Sequence, residues 1–303
     1  MSEIHGFQVE LDKSFDLDVT VDCWVYPDVQ PTPELKKPGE FARCIPLDDQ
    51  IIPVRVLQLN QGKRPRLQVQ WPAQFGKNHG AIITAIERML GWDVDTSPVL
   101  TAIKKDPIIA YLHKPLQGLR PFSHPTFFEA LVKAILQQQV SFRSANQVTR
   151  RLVVDYGPRC QLGEEQLFGF PTLEGLSALS EARLRECKLG FKAPYLVNLF
   201  EELTFGNLRL DELAELETST IIERLDSLPG IGKWTAELAV LTGVRRLEVF
   251  PTDDLGIRQI ISQLYLKGKP ARRSDVELVA ERWGGVRSLV LYFLMCAQVL
   301  GLI

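Results

Sequence analysis

Leu228-Pro-Gly-Ile-Gly-Lys-Trp-Thr-Ala-Glu237 interrupts a region whose flanks both carry helical spacing. Upstream, Ile221, Ile222, Leu225 and Leu228 form one apolar stripe, and Thr220-Ile-Ile-Glu223 has the spacing of a capping box. Pro229 has no amide donor and restricts the residue before it, so the first helix ends there. Gly230 and Gly232 permit left-handed or closely approached backbone. A second helix follows from Trp234 to Leu241 and stops at Gly243. The unit expected over 219–243 is a hairpin of two helices.

Such a hairpin has a chemical use. The first amides of its second helix lack helical acceptors and sit at the positive end of the helix dipole. With glycines there, a phosphate of another molecule can come close, and Lys233 adds a charge beside it. Amide donors carry no base information, so this device grips a nucleic-acid backbone without reading sequence. A plain turn, with glycines serving only its geometry, accounts for the same residues. A P-loop does not, since only Ile231 separates the glycines and Trp234 follows Lys233.

Downstream lies Phe250-Pro-Thr-Asp-Asp-Leu255, just before a helix expected over 255–264. Both aspartates fall at its N-terminus, where one, most simply Asp253, serves as cap or dipole partner. That role alone would explain either residue taken separately.

The 303 residues allow two or three domains and a sizeable core. An apolar share of 45% and a charged share of 24% suit a soluble globular protein. Net charge is −2, so any nucleic-acid site must be local. The five cysteines (Cys23, Cys44, Cys160, Cys187, Cys296) and four histidines are scattered, which argues against a disulfide framework or a metal cluster and for a reduced, cytoplasmic compartment. MSEIHGFQVELD has no apolar core and does not read as a signal peptide. The uncharged end, SLVLYFLMCAQVLGLI, is shorter than the roughly 20 residues of a membrane span and reads as a buried helix.

Phe15, Leu17, Val19, Val21, Cys23 and Val25 alternate with mostly polar residues, which predicts a half-buried strand. Residues 51–59 and Leu67-Gln-Val-Gln-Trp71 repeat the pattern, joined by the turn Gln61-Gly-Lys-Arg-Pro65. Ala81 to Leu90 reads as a helix ended by Gly91. Residues 1–105 are thus expected to be a small antiparallel sheet with helix. Four prolines and Gly118 make 106–125 a linker or a string of turns. From 126 to 303 the stripes are helical, giving an all-α region and an α+β chain.

The hairpin resembles that of the helix-hairpin-helix DNA glycosylases, and most closely the AlkA-type DNA-3-methyladenine glycosylase II family. Ala134-Ile-Leu-Gln-Gln-Gln-Val-Ser141, Gly169-Phe-Pro-Thr172, Val249-Phe-Pro-Thr-Asp-Asp254 and Ala280-Glu-Arg-Trp-Gly-Gly-Val-Arg-Ser288 look like that family's segments, in its order. The likeness spans about 120–300; before that only the sheet-then-helices layout matches. It implies a TBP-like N-terminal sheet and a cleft between two helical subdomains. It also implies a monofunctional enzyme that flips alkylated bases from double-stranded DNA and hydrolyses the N-glycosidic bond in base excision repair. The alternatives are a non-catalytic DNA-binding or damage-sensing protein and a glycosylase for oxidised purines.

By resemblance the catalytic carboxylate is Asp254, and Gly230, Gly232, Lys233 and Thr235 contact DNA. One carboxylate suffices for a purine alkylated on a ring nitrogen, because the leaving base already carries positive charge and needs no acid. What remains is stabilising an oxocarbenium-like sugar and orienting or deprotonating water. Strand-cutting relatives place a lysine where this chain has Trp234, and Lys233 lies about 100° around the helix from it; no lyase step is expected. The wedge filling the vacated base position falls on Gln139. The pocket is assigned to Trp234, Phe142, Leu238, Met295 and Arg287, with Tyr292 and Phe293 as further aromatic candidates; Leu238, Leu255 and Met295 stand where the best-known relative has aromatics. No cofactor is required. The family's hairpin implies a Na or K ion on the backbone carbonyls of Asp226, Leu228 and Ile231. A monomer suffices for one active site on a continuous duplex, and no membrane partner is expected.

Overall fold

The computed structural model describes residues 3–303 except Asp12 and Lys63. Strands β1 (Ile4–Glu10), β2 (Leu35–Lys37), β3 (Glu40–Leu47), β4 (Gln50–Gln58) and β5 (Arg66–Pro72) form one antiparallel sheet in the order β1-β5-β4-β3-β2. The alternating runs at 51–59 and 67–71 are β4 and the body of β5; Lys63, inside the turn expected between them, lies outside the described residues, as do Met1, Ser2 and Asp12 of the N-terminal stretch.

One alternating run is not a strand. Leu17–Asp22 is helix α1, because Asp16 caps it by accepting the Val19 amide at 3.0 Å and because Leu17, Thr20 and Val21 bury one helical face. Over six residues the alternating Leu17 and Val21 also stand at the helical positions i and i+4, so the cap decides. The strand that replaces it in the sheet, β3, hides in sequence. Phe41 and Ile45 face one core while Ala42 and Cys44 face another cluster, so the strand is buried on both sides and does not alternate.

The helices are α2 (His79–Leu90), α3 (Ser97–Lys105), α4 (Phe127–Leu136), α5 (Phe142–Tyr156), α6 (Leu173–Ser177), α7 (Glu181–Glu186), α8 (Ala193–Thr204), α9 (Leu210–Ala214), α10 (Thr218–Asp226), α11 (Lys233–Ala239), α12 (Leu255–Tyr265), α13 (Arg273–Ala280) and α14 (Arg287–Val299). Gly91 ends α2 in the left-handed region, φ 68°. The region 126–303 is not wholly helical: β6 (Arg159–Leu162) and β7 (Glu165–Phe168) form a hairpin whose Leu162 and Leu167 pack on Ala42 and Cys44 of the sheet. Four residues per strand are too few to show a period. Residues 106–125 are short turns, yet Ile109, Leu112, Leu116, Leu119 and Phe122 enter the core, so the prolines shape a packed segment rather than a free tether. The uncharged C-terminal run is α14, with Val290–Leu294 buried; among the described residues no helix is long and apolar enough to cross a membrane.

Two cores result. One joins the sheet, residues 109–122 and α12–α14; the other is built from α4–α11. The chain passes from one to the other over residues 240–250, so the hairpin lies in one core and the Asp253-Asp254 pair precedes α12 of the other.

A buried ionic cluster locks sheet to helices. Arg43 of β3 pairs with Glu34 and with Glu129 of α4, both at 2.6 Å, and Lys133 pairs with the same acids at 3.0 and 2.9 Å. Burial alone would raise the Glu129 carboxyl, but Arg43 and Lys133 hold it well below the ordinary range. Glu34, Glu129 and His124 approach closely enough to ligate a cation, but Arg43 and Lys133 already balance the two carboxylates. Burial, with Lys133 nearby, drives the His124 imidazole well below its ordinary 6.5, so it stays neutral. A folded state that refuses this proton loses stability as pH falls through about 6.5, where the unfolded chain accepts it, with a slope of up to about 1.4 kcal/mol per pH unit. Thermal melting from pH 7.5 to 5.5 should show this fall, and His124→Asn should flatten it.

Candidate active site and DNA-facing cleft

Helix α10 begins at Thr218, one turn's spacing earlier than a capping box at Thr220 would allow; its cap, Glu217, makes no side-chain bond, and Thr218 instead donates to Glu248 at 2.8 Å. After α10, Gly230 takes φ +80°, and a methyl on it would lie 2.1 Å from the Tyr195 ring. Only glycine fits. Gly232 differs: it is the extended N-cap of α11, with open space where a methyl would be. Lys233 is exposed, with its amine 4.0 Å from Glu237. Thr235 is buried, and its hydroxyl accepts from the Gln138 amide at 2.9 Å. Its side chain thus holds the hairpin together rather than offering a hydroxyl to DNA.

Gln138 also donates to the Gly230 carbonyl at 2.8 Å, fastening the α4–α5 loop to the hairpin. The next residue, Gln139, is exposed at φ +53°, a left-handed conformation that lifts it to the loop tip beside exposed Val140.

Asp254 itself caps α12, which corrects the assignment of that task to Asp253. Its Oδ1 accepts the Ile257 amide at 3.0 Å, and its Oδ2 accepts the Trp234 indole N–H at 2.9 Å. Asp253 is exposed and turns to Arg258, 3.4 Å away. Each Asp254 oxygen has one donor and retains acceptor capacity toward the cleft. Trp234 belongs to the helical core and Asp254 to the sheet-side core, so this hydrogen bond crosses between them.

Gly230, Gly232 and Asp254 line one cleft of about 1280 Å³. Trp234, Phe142, Leu238 and Met295 share its wall, as do Gln139, Asp226, Leu228 and Ile231. Arg287 is exposed at the start of α14 and is not on that wall. Tyr292 and Phe293 are buried behind it: the Tyr292 hydroxyl accepts the Trp24 indole at 2.8 Å and the Phe122 amide at 2.9 Å. Trp24 lines the cleft from the N-terminal region, as does Gln298 from α14. Sequence reading missed both. Trp24 lay inside the misassigned strand, and Gln298 counted only as a polar interruption in an apolar run.

Residues 132–284, half of the chain, match the family described as HhH-GPD superfamily base excision DNA repair protein. The chain belongs to the HhH-GPD superfamily. A 3-methyladenine DNA-glycosylase from Archaeoglobus fulgidus superposes with a TM-score of 0.86 at 26% identity, covering 98% of this chain and 100% of that one. DNA-3-methyladenine glycosylase of Bacillus subtilis is 24% identical over 70% of this chain and 71% of its own length. DNA-3-methyladenine glycosylase 2 of Escherichia coli is 33% identical over 57% of this chain and 58% of its own length. The HhH-GPD match spans the α4–α5 loop, the hairpin and Asp254, the parts that meet at the cleft.

The two hairpin glycines should respond differently. Gly230→Ala should lower stability by at least about 2 kcal/mol, from left-handed strain and the Tyr195 collision. Gly232→Ala should melt normally yet bind duplex DNA roughly tenfold more weakly, a loss of about 1.4 kcal/mol. Melting curves and fluorescence anisotropy separate the two.

Proposed function

We propose that this chain is a monofunctional DNA glycosylase that extrudes alkylated bases of the 3-methyladenine type from duplex DNA and hydrolyses the N-glycosidic bond, opening base excision repair. The observation that carries this reading is Asp254, oriented by two donors in the same cleft as the hairpin glycines. Capping α12 and accepting the Trp234 indole could be done by a neutral Asn, so a non-catalytic DNA binder would gain nothing from placing an anion opposite a polyanion there.

The hairpin amides grip the phosphate backbone, with Lys233 beside them, while Gln139 enters the stack where the base has left. The base enters between Trp24, Trp234, Phe142, Leu238 and Met295, electron-rich and polarizable walls that attract a cationic ring. Asp254 stabilises the positive charge developing on the sugar. The carbonyls of Asp226 at the end of α10, of Leu228, which also accepts the Ile231 amide at 3.1 Å, and of Ile231 suit a Na or K ion that would stiffen the turn. The enzyme works as a monomer, and its chemistry requires no cofactor.

Asp254→Asn should lower base release by about 100-fold or more while leaving duplex binding near normal. Single-turnover release from methylated DNA checks this, and near-normal turnover refutes the assignment. Trp234 occupies the lysine position of the strand-cutting relatives, so borohydride should trap no covalent protein–DNA adduct; a trapped adduct contradicts simple hydrolysis.

A further inference from the structure

We propose that Gln298 is a second water-positioning residue, holding together with Asp254 the water that attacks C1′ as the base departs. The inference rests on the reading of Asp254 above and deepens it. Gln298 lies one turn beyond Met295 on α14, half-buried on the cleft wall. What relates it to Asp254 is Gly256. A methyl group on that glycine would lie 3.1 Å from Asp254 Oδ1 and 3.3 Å from Gln298 Oε1, tighter than ordinary van der Waals contact on both sides. Gly256 is the second residue of α12 and has no positive φ to explain it. Its small size keeps open a notch in the cleft wall, flanked by a carboxylate oxygen and an amide oxygen.

Two acceptors suit a nucleophile. A water donating one hydrogen to each, at about 2.8 Å, keeps its lone pairs free to point into the cleft. The C1′–N bond breaks, and its electron pair leaves with the base, cancelling the positive charge imposed by alkylation. The water oxygen forms the new bond to C1′, and its proton passes to the Asp254 carboxylate. No further reactant enters. Reading the edge of the base is the other use open to this amide; its common neighbour with Asp254 favours the water. The two uses differ in outcome, because attack on C1′ is the same for every base.

The test measures single-turnover release of 7-methylguanine and 3-methyladenine from one methylated duplex. Gln298→Ala should slow both by the same factor, about 10- to 100-fold, with binding to a tetrahydrofuran abasic-site duplex changed by less than about twofold. Gln298→Glu, which retains an acceptor, should recover most of that rate. Unequal losses for the two bases overturn the proposal, as do unchanged rates or a loss of abasic-site binding. If Asp254→Asn keeps near-normal turnover, the Asp254 reading fails first. A slow Asp254→Asn beside a fully active Gln298→Ala sinks the Gln298 proposal alone.

Discussion

Arg43 sits in the middle of a strand with no access to water, and everything N-terminal to the helices depends on how its charge is met. A lone guanidinium there would be prohibitive, so Glu34 and Glu129 must close on it, and Lys133 must balance the second carboxylate. Because these partners lie on β3, on the segment before β2 and on α4, the cluster fixes one angle between sheet and helices. Hydrophobic packing alone would tolerate small slips; a four-charge arrangement with short contacts does not. The fixed angle has a functional result, since Trp24 on the sheet side and the α4–α5 loop on the helical side face the same cleft.

The cleft is the seam between two cores, and its chemistry uses that position. Groups buried inside either core would be inaccessible to a nucleotide; groups on an outer face would be washed by solvent and poorly oriented. At the seam, each side holds its own residue rigidly while the space between remains open. The indole N–H of Trp234 reaching Asp254 Oδ2 is therefore more than a local bond: it ties the hairpin to the carboxylate. Capping α12 gives Asp254 its second constraint, so the anion is aimed by backbone as well as by side chain.

Sequence was most informative where local chemistry decides structure. The hairpin needed a proline stop and a glycine with positive φ, and both are visible in the letters. Asp254 was legible through its place before a helix and its resemblance to a known motif, although the cap went to the wrong aspartate. Adjacent carboxylates at a helix start are interchangeable on paper; the indole across the cleft distinguishes them. Alternation misled at Leu17–Asp22, where a short segment satisfies two periods, and failed at β3, where burial on both faces erases the pattern. Trp24, Gln298 and the ionic cluster were illegible for a common reason: their partners are distant in sequence, as with Arg43 and Glu129 or Trp24 and Tyr292.

Gln138 joins the loop carrying Gln139 to both the turn carbonyl of Gly230 and the hydroxyl of Thr235. On the roles proposed for them, the element that enters the base stack and the element that holds the phosphates are therefore joined as one piece. Their spacing cannot adjust to the DNA, so the DNA must adjust to it. A helix that already bends or unstacks readily at a lesion meets this spacing at small cost, whereas sound, stiff duplex resists. Mechanical compliance of the damaged site would thus be sampled before any pocket wall touches the base.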